Sequence, residues 1–420
     1  MKNVLLSLVL LGLLGGLAAA QYHDAKYVTG YTAINLFDGT GTTNKITTLY
    51  DNGGTCYGMT MDPDNKSLWF CDSGTGSGLY MLDLNTLSIT TFISNTLSLY
   101  YPRDLVFNQD GDLVLASQMR VGTATLYGLL KYSGGSLTTI VMAPTTATNW
   151  YGGMEIDIDS GNYVVQSRTS PYPLLAIDDA GTITTIGTGG NPRYSITQDI
   201  PTGDWYQGSF TSLYHLKKGA STFTTVTLSS SGSKYYYALA TDRASAATSR
   251  TIATYGGSTT GTSPAYVFYT DISASPSVVT SISALGYLRS YEMDFFRGKN
   301  LCTTKTGPGK WNINLSFPNE ANQGYLVALS LTGVRPAVKL NDGRKINLAF
   351  DVLTVLSLNN NLGSLFNSGP LALDANGEAT ASIDVSSLGS LGGVRVWAEA
   401  VVFSKGVFGT IADPVGITMP

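Results

Sequence analysis

Three carboxylates fall where a folded repeat protein could use them together: Asp104, Glu155 and Glu292. Glu155 and Glu292 each stand two residues before an Asp, in otherwise apolar stretches. A carboxylate inside a strand is costly to bury unless it is paired or bound to metal. Oxygen ligands of this kind suit a hard cation, and calcium is the cofactor they would take. The competing use is a structural charge cluster with Arg103 and Arg289. A second set points to binding. Tyr57, Arg103, Tyr194, Tyr237 and Arg289 all stand five residues before an Asp or Asn, with Gly152 completing that offset. Trp150, Tyr151 and Arg168 lie in neighbouring segments. Aromatic and Arg side chains give large contact area and planar hydrogen bonding, which suits a glycan or protein ligand. The competing use for the Tyr residues is packing between repeats.

Familiar catalytic constellations are missing. The chain has 2 His, His23 and His215, neither in the setting of a general base. It carries no Gly-x-Ser-x-Gly elbow, phosphate loop or His-Glu-x-x-His helix. An enzyme built on Glu and Asp stays open, and a binder is the preferred reading.

The elements that must position these residues come from two repeating rulers. The first is an apolar residue, two hydroxyl residues and a second apolar residue, as in Ile46-Thr47-Thr48-Leu49 and Ile89-Thr90-Thr91-Phe92. It returns from 137, 183, 223 and, loosened, 279, at spacings of 40 to 56 residues. The second is a turn residue, Asp62, Asn108, Asp157, Asp199, Asp242 or Asp294, at spacings of 42 to 52. Asp and Asn favour such turns because the side chain bonds its own backbone two residues on. Two more strand-like runs lie between the rulers, and four strands per unit make a propeller blade. The first Thr-Thr strand precedes any turn of the second ruler, and the last such turn has no Thr-Thr strand after it. A six-bladed β-propeller over 27–308 follows. Its last blade is shared, with outer strands from 31–50 and inner strands from about 289–304. Such closure removes free sheet edges. In this strand order the segments leading into the inner strands, and those joining second to third strands, gather on one face. The binding set above should line it.

The blades also resemble a known type. The run Tyr57-Gly58-Met59-Thr60-Met61-Asp62-Pro63-Asp64, followed by Leu68-Trp69-Phe70 and Leu79-Tyr80-Met81-Leu82-Asp83, is similar to the blade grammar of NHL-type and gluconolactonase-type propellers. Those families include non-catalytic binders and metal-dependent hydrolases. The resemblance implies, as the rival to a binder, a lactonase-like hydrolase with Asp104, Glu155 and Glu292 in the channel. A third reading is a structural component of an extracellular assembly.

Beyond the ring the rhythm changes. Residues 311–420 give about seven strand-like runs in ~110 residues, the pattern of an antiparallel sandwich. One of those runs is 345–356. The region resembles the small β-sandwich tails that follow repeat domains in secreted bacterial proteins. The whole chain is thus expected to be all-β.

At the N-terminus, a Lys, an apolar run from Val4 to Leu17 and Ala18-Ala19-Ala20 read as a cleaved secretory signal over 1–20. The run is shorter than the ~20 residues a spanning helix needs. No membrane span is expected after cleavage, and the protein should be secreted, periplasmic or at the cell surface. A net charge of -4 with 13% charged residues gives no electrostatic case for nucleic acid. Of the 3 Cys, a Cys56–Cys71 bridge across the first hairpin is preferred, with three free thiols as the alternative. Cys302 is expected on a second strand of the ring.

Overall fold

The computed structural model describes residues 26–419 except 31–32, 39–44, 52–55, 63–66, 73–77, 84–85, 95–98, 100, 109, 122–123, 144–152, 192–194, 200–201, 210–211, 228–235, 237, 242–250, 257–265, 273–277, 285–291, 297–300, 318–319, 335–336, 341–344, 360, 389–390, 405–406 and 413. In the fifth and closing blades the description is chiefly of backbone and register. The described residues fall into two compact units, one within 22–296 and one within 297–420. The predicted signal lies outside the described residues, as does His23.

The first unit opens with β1 (Lys26–Gly30), β2 (Ala33–Asp38) and β3 (Lys45–Asp51). Five blades follow in chain order. Blade one is β4 (Cys56–Met61), β5 (Ser67–Asp72), β6 (Gly78–Asp83) and β7 (Ile89–Ile93). Blade two is β8 (Tyr101–Phe107), β9 (Leu113–Val121), β10 (Ala124–Ser133) and β11 (Ser136–Met142). Blade three is β12 (Met154–Ile156), β13 (Tyr163–Gln166), β14 (Leu174–Ile177) and β15 (Ile183–Gly187). Blade four is β16 (Ile196–Asp199), β17 (Asp204–Gly208), β18 (Leu213–Leu216) and β19 (Thr224–Thr225). Blade five is β20 (Ala238–Thr241), β21 (Thr251–Gly256), β22 (Tyr266–Asp271) and β23 (Val278–Ala284). β24 (Glu292–Phe296) then pairs with β1, giving a sixth four-stranded sheet of order β24-β1-β2-β3. The inner strands β4, β8, β12, β16, β20 and β24 each touch the next, and β24 touches β4. Among the described residues, six four-stranded sheets thus follow one another with their inner strands in a closed cycle.

Closure differs from expectation in one respect. The N-terminal segment supplies three strands of the shared blade and the C-terminal side only β24. Residues 301–307, expected inside the ring, pair instead with 310–316 in the second unit.

Both rulers have a physical basis. At the turn positions, Asn108 Oδ1 accepts the amides of Asp110 at 3.0 Å and Asp112 at 2.8 Å. Asp157 Oδ1 accepts that of Asp159 at 3.0 Å. Each side chain closes its own turn, as Asx residues do. The Thr-Thr phrase marks a β-bulge on the outer strand. Leu49, Phe92, Ile140, Ile186 and Ile282, each the residue after the hydroxyl pair, are left unpaired in their ladders. A bulge twists the strand, and on the rim of a blade it discourages edge-to-edge pairing.

The core is divided among blade interfaces. One cluster packs Trp69, Cys71, Leu79, Leu105, Leu115 and Leu130 between blades one and two. Another packs Cys56, Met59, Leu68, Phe70 and Leu82 around Ile34. Cys56 and Cys71 are therefore buried thiols in different clusters with no disulfide between them, contrary to the preferred bridge. The cause is the pairing: Cys56 stands opposite Asp72 and Cys71 opposite Gly58, so the two side chains leave opposite faces of the hairpin. Burial pushes the Cys71 thiol well above its ordinary pKa, with Cys56 and Asp104 adding to the shift.

The second unit comprises β25 (Leu301–Gly307), β26 (Lys310–Ser316), β27 (Gly324–Ser330), β28 (Val338–Lys339), β29 (Lys345–Ile346), α1 (Val352–Leu358), β30 (Phe366–Asn367), β31 (Glu378–Asp384), β32 (Arg395–Ser404), β33 (Val407–Ile411) and β34 (Val415–Thr418). One sheet runs β25-β26-β31-β30. A second joins β27, β32 and β33, with β34 also on β32. Leu301, Trp311, Ile313, Tyr325, Val327, Ile383, Ala398 and Ile417 belong to one core cluster of buried residues. Where a strand was expected to run from 345 to 356, the chain forms α1. Asp351 caps it, accepting the Thr354 amide at 2.9 Å, and Thr354 Oγ1 answers the Asp351 amide at 3.3 Å. That reciprocal box stabilises a helical first turn over the strand preference of Val and Thr. Among the described residues, no helix is long and apolar enough to cross a membrane.

Candidate functional site

The inner strands begin at one end of the ring, termed the leading end. In β4, Cys56 stands opposite Asp72 and Gly58 opposite Cys71, so Tyr57 is the extra residue of a bulge. In β8, Pro102 stands opposite Ser117 and Asp104 opposite Ala116, so Arg103 is the extra residue of a bulge. Adjacent blades thus carry a bulge at the same offset, five residues before the turn, and the two bulge side chains meet. The Arg103 guanidinium lies 4.3 Å from the Tyr57 ring centroid and 5.4 Å from that of Tyr101. Gly58 makes this possible. A Cβ there would stand well inside contact of the Asp104 Cα and 3.0 Å from the Arg103 carbonyl oxygen, so only Gly lets the backbones approach. A cation held over an aromatic face in a partly wet site contributes roughly 0.5–1 kcal/mol and fixes the plane of the guanidinium.

One residue further along, the side chains tie blades together. Asp104 Oδ1 accepts the Leu105 amide at 2.8 Å, and Oδ2 accepts the Met154 amide of the next blade. Ser195, at the equivalent place in blade four, accepts the Leu239 amide of blade five at 3.1 Å. Asp104, which the sequence offers as a cation ligand, is 3% exposed and holds these two amides. The Asp stands one residue past a bulge, where its carboxylate reaches the neighbouring backbone. Glu155 is paired opposite Val164 and partly buried, and Glu292 stands opposite Gly30 with its side chain outside the description. Among the described residues, no group of three His, Cys, Asp or Glu side chains could hold a metal ion.

Arg168 lies in segment 167–173, between β13 and β14, at the same end. This segment is held by a residue that the offsets did not reveal. Gln166, fully buried, donates its amide hydrogens to the carbonyls of Ser167 at 2.8 Å and of Tyr172 and Pro173 at 3.2 Å. The Gln207 amide of blade four meets Gln166 Oε1. The signal was available: Gln118, Gln166 and Gln207 end the second-strand region of three successive repeats. Tyr236 shows the other use of a leading-end Tyr. It packs with Tyr206, Leu213, Leu239 and Ile272, and burial raises its hydroxyl pKa to about 12. Trp150, Tyr151, Tyr194, Tyr237 and Arg289 lie outside the described residues. His215 is bonded to Asp204 at 2.8 Å and stacked on Tyr206.

No family model and no curated protein matches the chain. Among solved structures, the chain is similar to TolB from Acinetobacter baumannii, with 13% identity over 70% of this chain and 71% of that one, at a TM-score of 0.48. It is similar to a protein assigned as TolB from Agrobacterium tumefaciens, with 14% identity over 62% and 89%, at a TM-score of 0.42. It is also similar to a protein assigned as a gluconolactonase, with 12% identity over 49% and 79%, at a TM-score of 0.35.

Proposed function

We propose that the chain is an exported binding protein that takes a glycan or protein ligand at the leading end of its propeller. One observation carries the reading: the neighbouring bulges of β4 and β8 bring Arg103 onto Tyr57. Two side chains at matching repeat positions converge on a partly exposed guanidinium framed by aromatic rings. Arg168, on a segment pinned from below by Gln166, extends the same end. Trp150, Tyr151, Tyr194, Tyr237 and Arg289, outside the described residues, are proposed for the same site from their places in the sequence repeat alone. Rigid aromatic and Arg groups are the anchors that dominate binding energy in protein interfaces. The test is a screen of the full chain against arrayed glycans and immobilised extracellular proteins, repeated with Arg103→Ala. A ligand retained by the parent and lost by the variant supports the reading. A ligand retained equally by both places binding elsewhere.

A further inference from the structure

We propose that a neutral glycan binds in the cleft between blades one and two, a site separate from the Arg103 and Tyr57 pair. The ladder register builds its walls. On blade one, Trp69 stands opposite Met81 and Met81 opposite Thr90, so a row runs outward from β5 to β7. On blade two, Phe107 stands opposite Leu113, Leu113 opposite Tyr132 and Tyr132 opposite Leu137, a matching row from β8 to β11. Trp69 and Met81 pack in one cluster with Phe107, Tyr132 and Leu137, so the two rows face each other. Burial falls along the first row: Trp69 is 9% exposed, Met81 half-buried and Thr90 exposed. The cleft therefore opens at the rim of the ring.

Phe92 lies at that opening. Its ring stacks on Trp69 at a centroid distance of 4.4 Å, meets Tyr132 edge-on at 6.0 Å, and is 39% exposed. Phe92 follows the hydroxyl pair of its outer strand, where the other repeats have Leu49, Ile140, Ile186, Val226 and Ile282. The ring is thus an addition of blade one to the common pattern. Behind it, the Trp69 indole N–H is buried and has no acceptor. Buried donors are almost always paired, because an orphan carries its full desolvation cost. Phe92 is the extra residue of a bulge, so its ring can turn outward while the ladder on either side stays paired. A ligand hydroxyl then accepts the indole N–H.

The lining selects the ligand class. Neither β7 nor β11 carries a charged residue, and Lys131, beside Tyr132, is paired with Asp112 at 3.4 Å. A charged polymer finds no complement there. A protein partner favours a contiguous apolar surface, whereas exposed Thr90, Thr91, Thr138 and Thr139 interrupt this one with hydroxyls. Flat aromatic faces for sugar C–H groups, hydroxyls beside them and one unsatisfied donor suit an uncharged sugar.

The test screens the full chain against arrayed neutral oligosaccharides of glucose, mannose, galactose and N-acetylglucosamine, then titrates the tightest binder with tryptophan fluorescence as the readout. The expected result is an oligosaccharide that shifts the emission of the parent, with Kd raised about tenfold in Phe92→Ala and in Trp69→Phe. Trp69→Phe keeps an aromatic ring and removes the indole donor, and the emission change should disappear with it. Phe92 is exposed enough to truncate without opening the core, so a folding defect at Trp69 leaves Phe92→Ala to decide. Arg103→Ala should bind as the parent does. If the parent retains no neutral oligosaccharide, or if both cleft variants bind like the parent, the inference is overturned. If Arg103→Ala alone abolishes binding, the sugar belongs to the leading end; the inference falls and the proposed function stands. If a protein is retained through Phe92 and no sugar is, the cleft takes a protein partner and the inference falls.

Discussion

Asp104 reaches across a blade boundary and accepts the backbone amide of Met154, and with its other oxygen it holds the Leu105 amide in its own strand. Two buried donors depend on one carboxylate. Asp104→Ala should cost about 2–6 kcal/mol, since two amides are orphaned and each costs roughly 1–3. Urea denaturation of the parent and variant measures it. A midpoint shift smaller than that of a surface Asp→Ala control would remove the strut from the account.

Gly58 lies against the Asp104 Cα and the Arg103 carbonyl, atoms of a backbone that cannot step aside cheaply. Gly58→Ala should destabilise the ring by about 1–3 kcal/mol, the usual range for overpacking. It should also weaken ligand binding, because it pushes the bulges of Tyr57 and Arg103 apart. Calorimetry and binding on the same sample check both; a variant as stable as the parent contradicts the close approach.

The tail should fold alone, but only from the right start. Leu301 and Thr303 of β25 are buried in the second unit. A fragment 297–420 should melt cooperatively. A fragment 311–420 should melt at a lower temperature or fail to fold, having lost an edge strand and a core Leu worth about 2–5 kcal/mol by the Leu→Ala scale. Equal midpoints would return β25 to the ring.

Within that tail, Asp351 accepts from Leu331 N at 2.7 Å, Thr332 N at 2.9 Å and Thr354 N at 2.9 Å. Burial alone would raise its pKa; the donors of Thr332, Thr354 and Leu331 outweigh burial and hold it well below the usual carboxylate range. A depressed pKa contributes stability above the unfolded value of ~3.9 and loses it as pH falls toward the folded value. Asp351→Asn should therefore lower tail stability by about 1–3 kcal/mol at pH 7, and the parent should lose more stability than the variant between pH 5 and pH 3. Parallel pH profiles would contradict this.

Much of the ring was legible because the signal repeats. Asn108 and Asp157 close their turns with their own side chains, so a local chemical need stamps the same residue type on each blade. The Thr-Thr phrase likewise marks a bulge that recurs. Residues 301–307 were misplaced because Gly307-Pro308-Gly309, which looks like the end of the ring, is the turn of a hairpin joining β25 to β26. A turn signal says that the chain reverses, not which sheet it then serves. The helix at 352–358 was read as strand from its Val and Thr content, and the capping pair Asp351 and Thr354 overrode that preference. At the site, the common offset of Tyr57 and Arg103 was readable. The diversion of Asp104 into a backbone strut was not, because it depends on how closely two blades approach.

The proposed ligand rests on the Arg103 and Tyr57 pair. Isothermal titration of the first ligand found, against the parent, Arg103→Ala, Tyr57→Ala and the double variant, tests it most directly. Each single change should cost on the order of 2 kcal/mol in binding. The double should cost less than their sum, because the two side chains support each other, and the melting temperature should stay within a few degrees of the parent. Unchanged affinity in both single variants, with both folded, would contradict the account.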